Sequence, residues 1–258
     1  TARTPAALDD LAATAPDRVL ALPLDVTDHD QVASAVAAAV ASGGVDVLVN
    51  NAGHGLVGAV EELTDADLRA LLEVNVLGPM ALTRALLPHL RERGSGHIVQ
   101  MSSVGGVIGN PGHAAYAMTK FALEGLSEAL AGEVAPFGVR VTIVEPGPFR
   151  TAFAGRSMRF AAANPAYAGT PAGQLRARMA DQDGRQPGDP VRAARVIVDQ
   201  VHGADHGGLG GEPTPLRLPL GENAVRRIGV RLRERLAELD GVADLARSAD
   251  FPVEPAVS

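Results

Sequence analysis

Tyr116 and Lys120 stand four positions apart in the run Tyr116-Ala117-Met118-Thr119-Lys120, a spacing that puts both on one face of a helix. A phenol of pKa about 10 is a poor acid or base near neutrality. A lysine ammonium on the same face favours the phenolate and draws that pKa down. Such a tyrosine can exchange a proton with a substrate hydroxyl or carbonyl oxygen. Ser103 comes thirteen positions earlier, at the end of an apolar run. A hydroxyl at the C-terminal end of a strand faces a crevice and can hydrogen-bond the same oxygen. Asn75 interrupts a helical pattern with a residue of mediocre helix propensity. It is suited to holding a kink, and a water that leads to Lys120. Each of these residues also has a plain structural reading when taken singly: a half-buried phenol beside a solvated lysine, a serine satisfying turn amides, an asparagine in a bend. Asn50-Asn51-Ala52-Gly53 follows a fully apolar strand, and its small residues permit a tight turn that a ligand can approach closely.

The elements that must position these residues alternate short β-branched runs with longer helical patterns, the mark of βαβ units on a parallel sheet. Strands are expected at 18–26, 45–49, 97–101, 139–144 and 216–220. Helices are expected at 28–41, with Val32, Val36 and Val40 on one face, at 64–91 with a break at Gly78-Pro79, at 114–134, from Asp189 or Pro190 onward, and at 222–239. Thr64 is a helix N-cap by type and position. Residues 152–188, with Asn164-Pro165, Thr170-Pro171 and Gln186-Pro187-Gly188, read as an irregular lid or binding loop. No repeat or linker divides the chain, so residues 1–258 are expected to form a single Rossmann-like α/β domain, with a substrate loop at about 152–188 and a helical tail at about 222–250.

Composition removes several classes. The formal charge of −7, without a basic stripe, argues against nucleic acid. The absence of cysteine removes disulfides and thiolate metal sites. No uninterrupted apolar run reaches the length of a membrane span, and Thr1-Ala2-Arg3-Thr4-Pro5 lacks a signal-peptide core, so a cytoplasmic protein without membrane partners is expected. His202 and His206 flank a glycine and lack a third ligand, which makes a poor metal site. Ser103 lies in no G-x-S-x-G elbow, and a hydrolase would leave Tyr116 and Lys120 without a role. The arginines and glutamates of 222–239 read as a solvated face.

Six elements occur in a fixed order: Leu24-Asp25-Val26-Thr27-Asp28, Asn50-Asn51-Ala52-Gly53, Asn75-Val76-Leu77-Gly78, Ser102-Ser103, Tyr116-x-x-x-Lys120 and Pro146-Gly147-Pro148-Phe149-Arg150-Thr151. Together they resemble the short-chain dehydrogenase/reductase family, in the subgroup with an N-N-A-G turn, over nearly the whole chain as far as Leu220. The resemblance implies a doubly wound parallel sheet in a three-layer α/β/α arrangement. It implies an oxidoreductase that interconverts a secondary alcohol and a ketone or aldehyde with a nicotinamide cofactor. Tyr116 would be the general acid/base and Ser103 would orient the substrate oxygen. Lys120 would hold the nicotinamide ribose and depress the Tyr116 pKa, and Asn75 would anchor the water of a proton relay. Asp25 and Val26 would flank the adenine, and Asn51, Ala52 and Gly53 would lie along the cofactor. Pro146, Gly147 and Thr151 would meet the nicotinamide end. A dimer or tetramer built on the helices at 64–91 and 114–134 is also implied.

The sequence departs from the family at its start. Family members open with a strand, a glycine-rich turn, a helix and a second strand, and Thr1-Ala2-Arg3 corresponds to the end of that second strand. The run 207–211 follows no strand, so it is no phosphate loop. An N-terminally truncated sequence, missing its first β-α-β segment, is the expected explanation. A non-catalytic fragment or scaffold is the alternative, because pyrophosphate binding at a helix N-terminus anchors such cofactors. The missing strand would leave the segments 18–24 and 45–49 with open edges. No acidic residue stands near Arg3 to hold ribose hydroxyls, and Arg3 is suited to a 2′-phosphate, so NADP is expected over NAD. The Ala-rich loop at 153–185, with Phe160, Tyr167 and Met179, points to a small, moderately apolar alcohol or ketone.

Overall fold

Two β-branched runs, Gly96–Met101 and Val139–Pro146, bury Ile98, Val99, Val141, Ile143 and Val144 almost completely. Strands apolar on both faces belong in the middle of a parallel sheet with helices above and below. The computed structural model describes residues 1–202 and 215–251 and places them there. Strands β1 (Val47–Asn50), β3 (Gly96–Met101), β4 (Val139–Pro146) and β6 (Arg217–Leu220) form one parallel sheet in the order β1-β3-β4-β6. A second parallel pair joins β2 (Gly55–Val57) to β5 (Met158–Phe160). The helices are α1 (Asp9–Thr14), α2 (His29–Ala41), α3 (Asp65–Leu72), α4 (Gly78–Arg93), α5 (Ala114–Val134), α6 (Pro171–Gln182), α7 (Pro190–His202) and α8 (Glu222–Arg247).

Helices cover both faces of the sheet. Leu86 and Leu90 of α4 and Leu130 and Val134 of α5 pack on Ile98, Val139 and Val141, with Val36 and Val40 of α2 against them. On the other face Ala193, Ile197 and Val201 of α7 pack on Val99, Val144 and Leu220. This is the expected three-layer, Rossmann-like arrangement.

The caps form where the residue types called for them. Asp28 accepts from the N–H groups of Asp30 and Gln31 at the start of α2. Thr64 and Asp67 form a capping box on α3. Before β4 the chain turns through Gly138, at φ 71°. A Cβ there would lie 2.3 Å from the carbonyl oxygen of Gly94. Strain and clash act together at this position. Gly138→Ala is therefore expected to lower stability by about 2–4 kcal/mol, read as a fall in the urea midpoint at constant m.

Three expectations change. Residues 18–26 form no strand. Ala2 makes a single bridge to Pro23, with Ala2 N–H donating to Leu22 O (3.2 Å) and Leu24 N–H donating to Ala2 O (2.9 Å). A ladder needs a neighbouring strand, and among the described residues none lies between this segment and β1. Leu24 and Val26 are still buried, against Val32, Ala35 and Leu82. Leu20 and Val49 stay half exposed.

The helix read as broken at Gly78-Pro79 is instead continuous over Asp65–Arg93. It is rewound as a π-turn at Glu73–Leu77, and Pro79, which has no N–H to give the ladder, follows directly on that widened turn. At this joined length it is apolar enough to cross a membrane by hydropathy alone. Its apolar side nevertheless lies on the sheet, and it buries Asn75 and Thr83.

The segment 152–188 is more regular than expected. It contributes β5, a 3-10 turn at Pro165–Tyr167, and α6. Glu62 ties it down by accepting from Asn164 N–H (2.8 Å), and Tyr167 donates its hydroxyl proton to Glu61 (2.8 Å). The C-terminal helix α8 runs past Leu239 to Arg247, within the helical tail expected at about 222–250. The run 207–211 and His206 lie outside the described residues.

Candidate active site

The C-terminal ends of β1, β3 and β4 open on one side of the sheet, and the loops that follow them carry most of the residues singled out above. Ser103 stands two positions past the end of β3. Its backbone is extended, and its Oγ accepts from Gly105 N–H (3.0 Å). Tyr116 and Lys120 lie on the first turns of α5 and are both buried. The Ser103 hydroxyl is close enough to the Tyr116 hydroxyl to favour its ionised form. Lys120 Nζ donates to Met101 O (2.7 Å) and lies 5.7 Å from the Tyr116 ring centroid.

Asn75 sits at the centre of the π-turn, 1% exposed. Its Oδ1 accepts from His54 N–H (3.1 Å), and its Nδ2 donates to His54 O (3.0 Å) and to Thr119 Oγ1 (3.1 Å). Thr119 in turn donates to Tyr116 O (2.8 Å). Asn75 thus clamps the loop after β1 to the Tyr116–Lys120 helix, and the wide turn gives its side chain the room to do so. Gly53 completes the cluster. A Cβ there would meet Asn75 Oδ1 at 3.2 Å and Lys120 Nζ at 3.9 Å, so only glycine leaves this approach open.

The electrostatics differ from the sequence expectation in one respect. Tyr116 is pushed up to about 12, by burial first, with the Ser103 hydroxyl working against it. The lysine does not draw the phenol down, because burial also lowers Lys120, to about 8, opposed by the charge of Glu124 one turn on. Both groups lose hydration in the same pocket, and desolvation outweighs their mutual effect. At neutral pH Tyr116 is therefore a proton-bearing phenol beside an ammonium. Behind it Glu145, also buried and facing Glu124, is raised to about 7.

The other predicted residues fall in loops and turns or, for Pro146, at a strand end. Asn51 and Ala52 are exposed and Gly53 is half-buried. Asp25 accepts from the N–H and hydroxyl of Thr27, which hold it below the usual carboxylate range. Val26 is buried at the foot of α4. Arg3 is exposed, and its charge reaches both Asp25 and His54. Pro146 ends β4, and Gly147 N–H donates to Leu220 O (3.0 Å). Thr151 is exposed, and its Oγ1 accepts from Phe153 N–H (3.3 Å).

Sequence reasoning passed over four contributors. Thr119 links Asn75 to the tyrosine helix. His113, lowered by burial to about 4 and hence neutral, packs its ring 5.9 Å from that of Tyr116. Phe153 sets its ring 5.6 Å from Tyr116 on another side. Met101 acts through its carbonyl, which no residue type announces. For Thr119 and His113 the signal was position alone, within one turn of Tyr116.

By residue type the cluster suits the nicotinamide end of a dinucleotide: Gly53 lets the loop after β1 approach Asn75 and Lys120 closely, and Lys120 stands beside Tyr116. No glycine-rich turn opens a helix behind a strand among the described residues, so the fit does not extend to the pyrophosphate. Chemically, the cluster can hold a carbonyl or hydroxyl oxygen between Ser103 and Tyr116 and pass it a proton.

A doubly wound parallel sheet with a Ser-Tyr-Lys-Asn cluster at its strand ends defines a dehydrogenase-type oxidoreductase scaffold. The chain matches the short chain dehydrogenase family over residues 1–161. Oxidoreductase BOA17 of Botryotinia fuckeliana is 38% identical over 231 residues, 89% of this chain and 81% of that protein. Human 17-beta-hydroxysteroid dehydrogenase type 1 is 46% identical over 138 residues, covering 54% of this chain and only 42% of that enzyme. Among solved structures, a short-chain dehydrogenase from Streptomyces avermitilis superposes with a TM-score of 0.86 at 48% identity, over 96% of this chain and 88% of that one. A gluconate 5-dehydrogenase from Burkholderia cenocepacia, in complex with NADP and tartrate, superposes with a TM-score of 0.55 at 30% identity, over 59% and 62% of the two chains. The chain belongs to the short chain dehydrogenase family.

Proposed function

We propose that the protein is an NADP-dependent oxidoreductase that interconverts a small, apolar secondary alcohol and the corresponding ketone. The observation that carries this reading is the convergence of Ser103, Tyr116, Lys120 and Asn75 at the strand ends. The cofactor, when bound, supplies or accepts the hydride. Tyr116 supplies the proton to the carbonyl oxygen and Ser103 steadies that oxygen. Lys120 holds the ribose end of the cofactor and keeps a positive charge beside the phenol. Asn75 keeps the loop after β1 locked to α5. The ring of Phe153 against Tyr116 gives the reacting carbon an apolar flank, and the likeness to a hydroxysteroid dehydrogenase points the same way. The test is NADPH oxidation by the protein expressed from its complete reading frame, against a panel of apolar ketones and of sugar acids. Turnover confined to polyhydroxylated acids would reverse the substrate reading.

The cofactor choice rests on Arg3, whose charge is felt at Asp25, and on the NADP held by the Burkholderia relative. Arg3→Asp removes a charge-assisted partner of the 2′-phosphate and offers a carboxylate to ribose hydroxyls. The ratio of kcat/KM for NADPH to that for NADH is expected to fall by about 10- to 100-fold, as loss of one charged hydrogen bond implies. An unchanged ratio would remove Arg3 from cofactor recognition.

A second reading, a non-catalytic scaffold, rests on the absence of a phosphate-binding turn among the described residues. Saturable NADPH binding by the protein from its complete reading frame would exclude it. Homo-oligomerisation through the outer face of α5, where Ala122, Gly125 and Ala129 are exposed, belongs to the same proposal. Part of that face is already covered within the chain, since Arg235 of α8 lies over the Phe121 ring at 5.5 Å.

A further inference from the structure

Helix α8 is 26 residues long, and only its first half is held by the rest of the chain. Ala224 and Ile228 are buried against Val104 and Val107, and Arg235 donates to Val107 O (2.8 Å). From Leu236 to Arg247 every residue except Ala243 is exposed. A helical segment of this length without tertiary support is marginal in water. It nevertheless carries large apolar side chains: Leu232, Leu236 and Leu239 are each more than half exposed. These leucines belong to a longer series, Val225, Gly229, Leu232, Leu236, Leu239, Ala243 and Ala246, whose spacing alternates strictly between four and three. Such spacing makes a narrow seam on one side of a helix, the pattern that two paired helices bury between them.

The residues beside the seam choose the partner and its direction. Arg233 and Asp240 both follow a seam residue and lie on the same flank. In an antiparallel pair of identical helices that flank faces itself, and Arg233 of each helix meets Asp240 of the other, twice over. The register that forms these two ion pairs sets Leu236 against Leu239 and Leu232 against Ala243, so apolar and charged matching coincide. At the ends Arg226 comes near Arg247, whose charge is already engaged by its own Asp244 (2.8 Å). A parallel pair would draw its charge match from Arg235, which is committed to Val107 O and Phe121. It would also press the two bodies together at the buried ends of their helices.

We propose that the exposed seam of α8 is a self-association surface, on which α8 of a second copy lies antiparallel with Leu236 against the partner subunit's Leu239 and Arg233 against the partner subunit's Asp240. The surface is separate from the outer face of α5 and owes nothing to the catalytic reading. Two copies related by a two-fold axis bury the same patch on each, and the contact closes on itself.

The test is sedimentation velocity on the protein from its complete reading frame at micromolar concentration. Leu236→Glu/Leu239→Glu, at exposed positions that leave the fold and its circular dichroism unchanged, is expected to halve the assembled mass. That holds whether the parent is a dimer or, with α5 contacts as well, a tetramer. The dissociation constant for the α8 step should rise by at least about 100-fold, as for loss of central apolar anchors. Arg233→Asp and Asp240→Arg should each weaken association, and the two together in one chain should restore it, because the pairs re-form with their signs exchanged. An unassociated parent overturns the proposal. So does a mass unaffected by the two glutamates, the result expected if residues 252–258 or another protein covers the seam. Disruption by the glutamates without rescue by the double charge reversal overturns the antiparallel pairing.

Discussion

Tyr116→Phe is expected to reduce carbonyl turnover by about 10²- to 10⁴-fold, the usual worth of a positioned general acid, while the protein stays folded and keeps its affinity for cofactor. The change removes one oxygen from a buried ring whose other contacts persist. The ring still packs on His113 and Phe153. What is lost is the hydroxyl's interaction with the nearby Ser103, and Ser103 Oγ still has Gly105 N–H. Stability should therefore move by no more than about 1 kcal/mol. Turnover responds far more, because the phenol is the proton carrier. With its pKa raised to about 12, the group is fully protonated at neutral pH and gives up its proton only once hydride transfer makes the carbonyl oxygen basic. Phenylalanine has no proton to give at that moment. Single-turnover measurement with NADPH and an apolar ketone separates this from slow product release. A variant within tenfold of the parent would take the proton from Tyr116 and give it to another group, and Ser103→Ala would then be the next measurement.

Much of this site was legible because its parts sit at strand ends and on one helix face. The thirteen-position step from Ser103 to Tyr116 and the four-position step from Tyr116 to Lys120 need only a strand, a turn and a helix to bring the groups together, and those elements follow from β-branched runs and caps. Asp28 and Thr64 cap their helices because their short oxygens suit free N–H groups. What failed to show depends on partners distant in sequence. Asn75 signals a kink, but that the kink is a π-turn depends on its bonds to His54 and Thr119, both distant in sequence. Strands β2 and β5 are three residues each and exist through pairing with one another across a hundred residues. Segment 18–26 has the composition of a strand, yet its ladder stops at one bridge for want of a neighbour. Around Tyr116, spacing reveals the nearby Lys120 charge but not the loss of water around both groups.

Lys120→Met should abolish turnover and, in the absence of cofactor, make the protein more stable at neutral pH. Both effects come from one buried ammonium. In the unfolded chain Lys120 titrates near 10.5, and in the folded protein burial lowers it to about 8. Below pH 8 both states are charged, so the folded state bears the full cost of a desolvated charge, at most about 3 kcal/mol from 1.36 kcal/mol per unit. As pH rises from 8 to 10.5 the folded lysine gives up its proton first, and the cost fades; above 10.5 it is gone. The sign is thus opposite to that of a salt-bridged lysine, since stability contributed at this position rises with pH. Methionine fills the volume of the lysine stem without the charge. It forfeits the bond to Met101 O, worth about 1 kcal/mol. The net gain at pH 7 is then about 1–2 kcal/mol, a few degrees in Tm, and it should have shrunk to nothing or reversed by pH 10.5. Tyr116, raised above its ordinary value, destabilises the fold only as pH climbs from 10 towards 12, and it does so in parent and variant alike, so the difference between them isolates the lysine. Urea unfolding of both proteins at pH 7 and 10.5 is the measurement. A methionine variant less stable than the parent at pH 7, or a gain undiminished at 10.5, would mean that the ammonium is well solvated or paired where it stands. The site would then hold Lys120 ready for cofactor without any strain to be relieved.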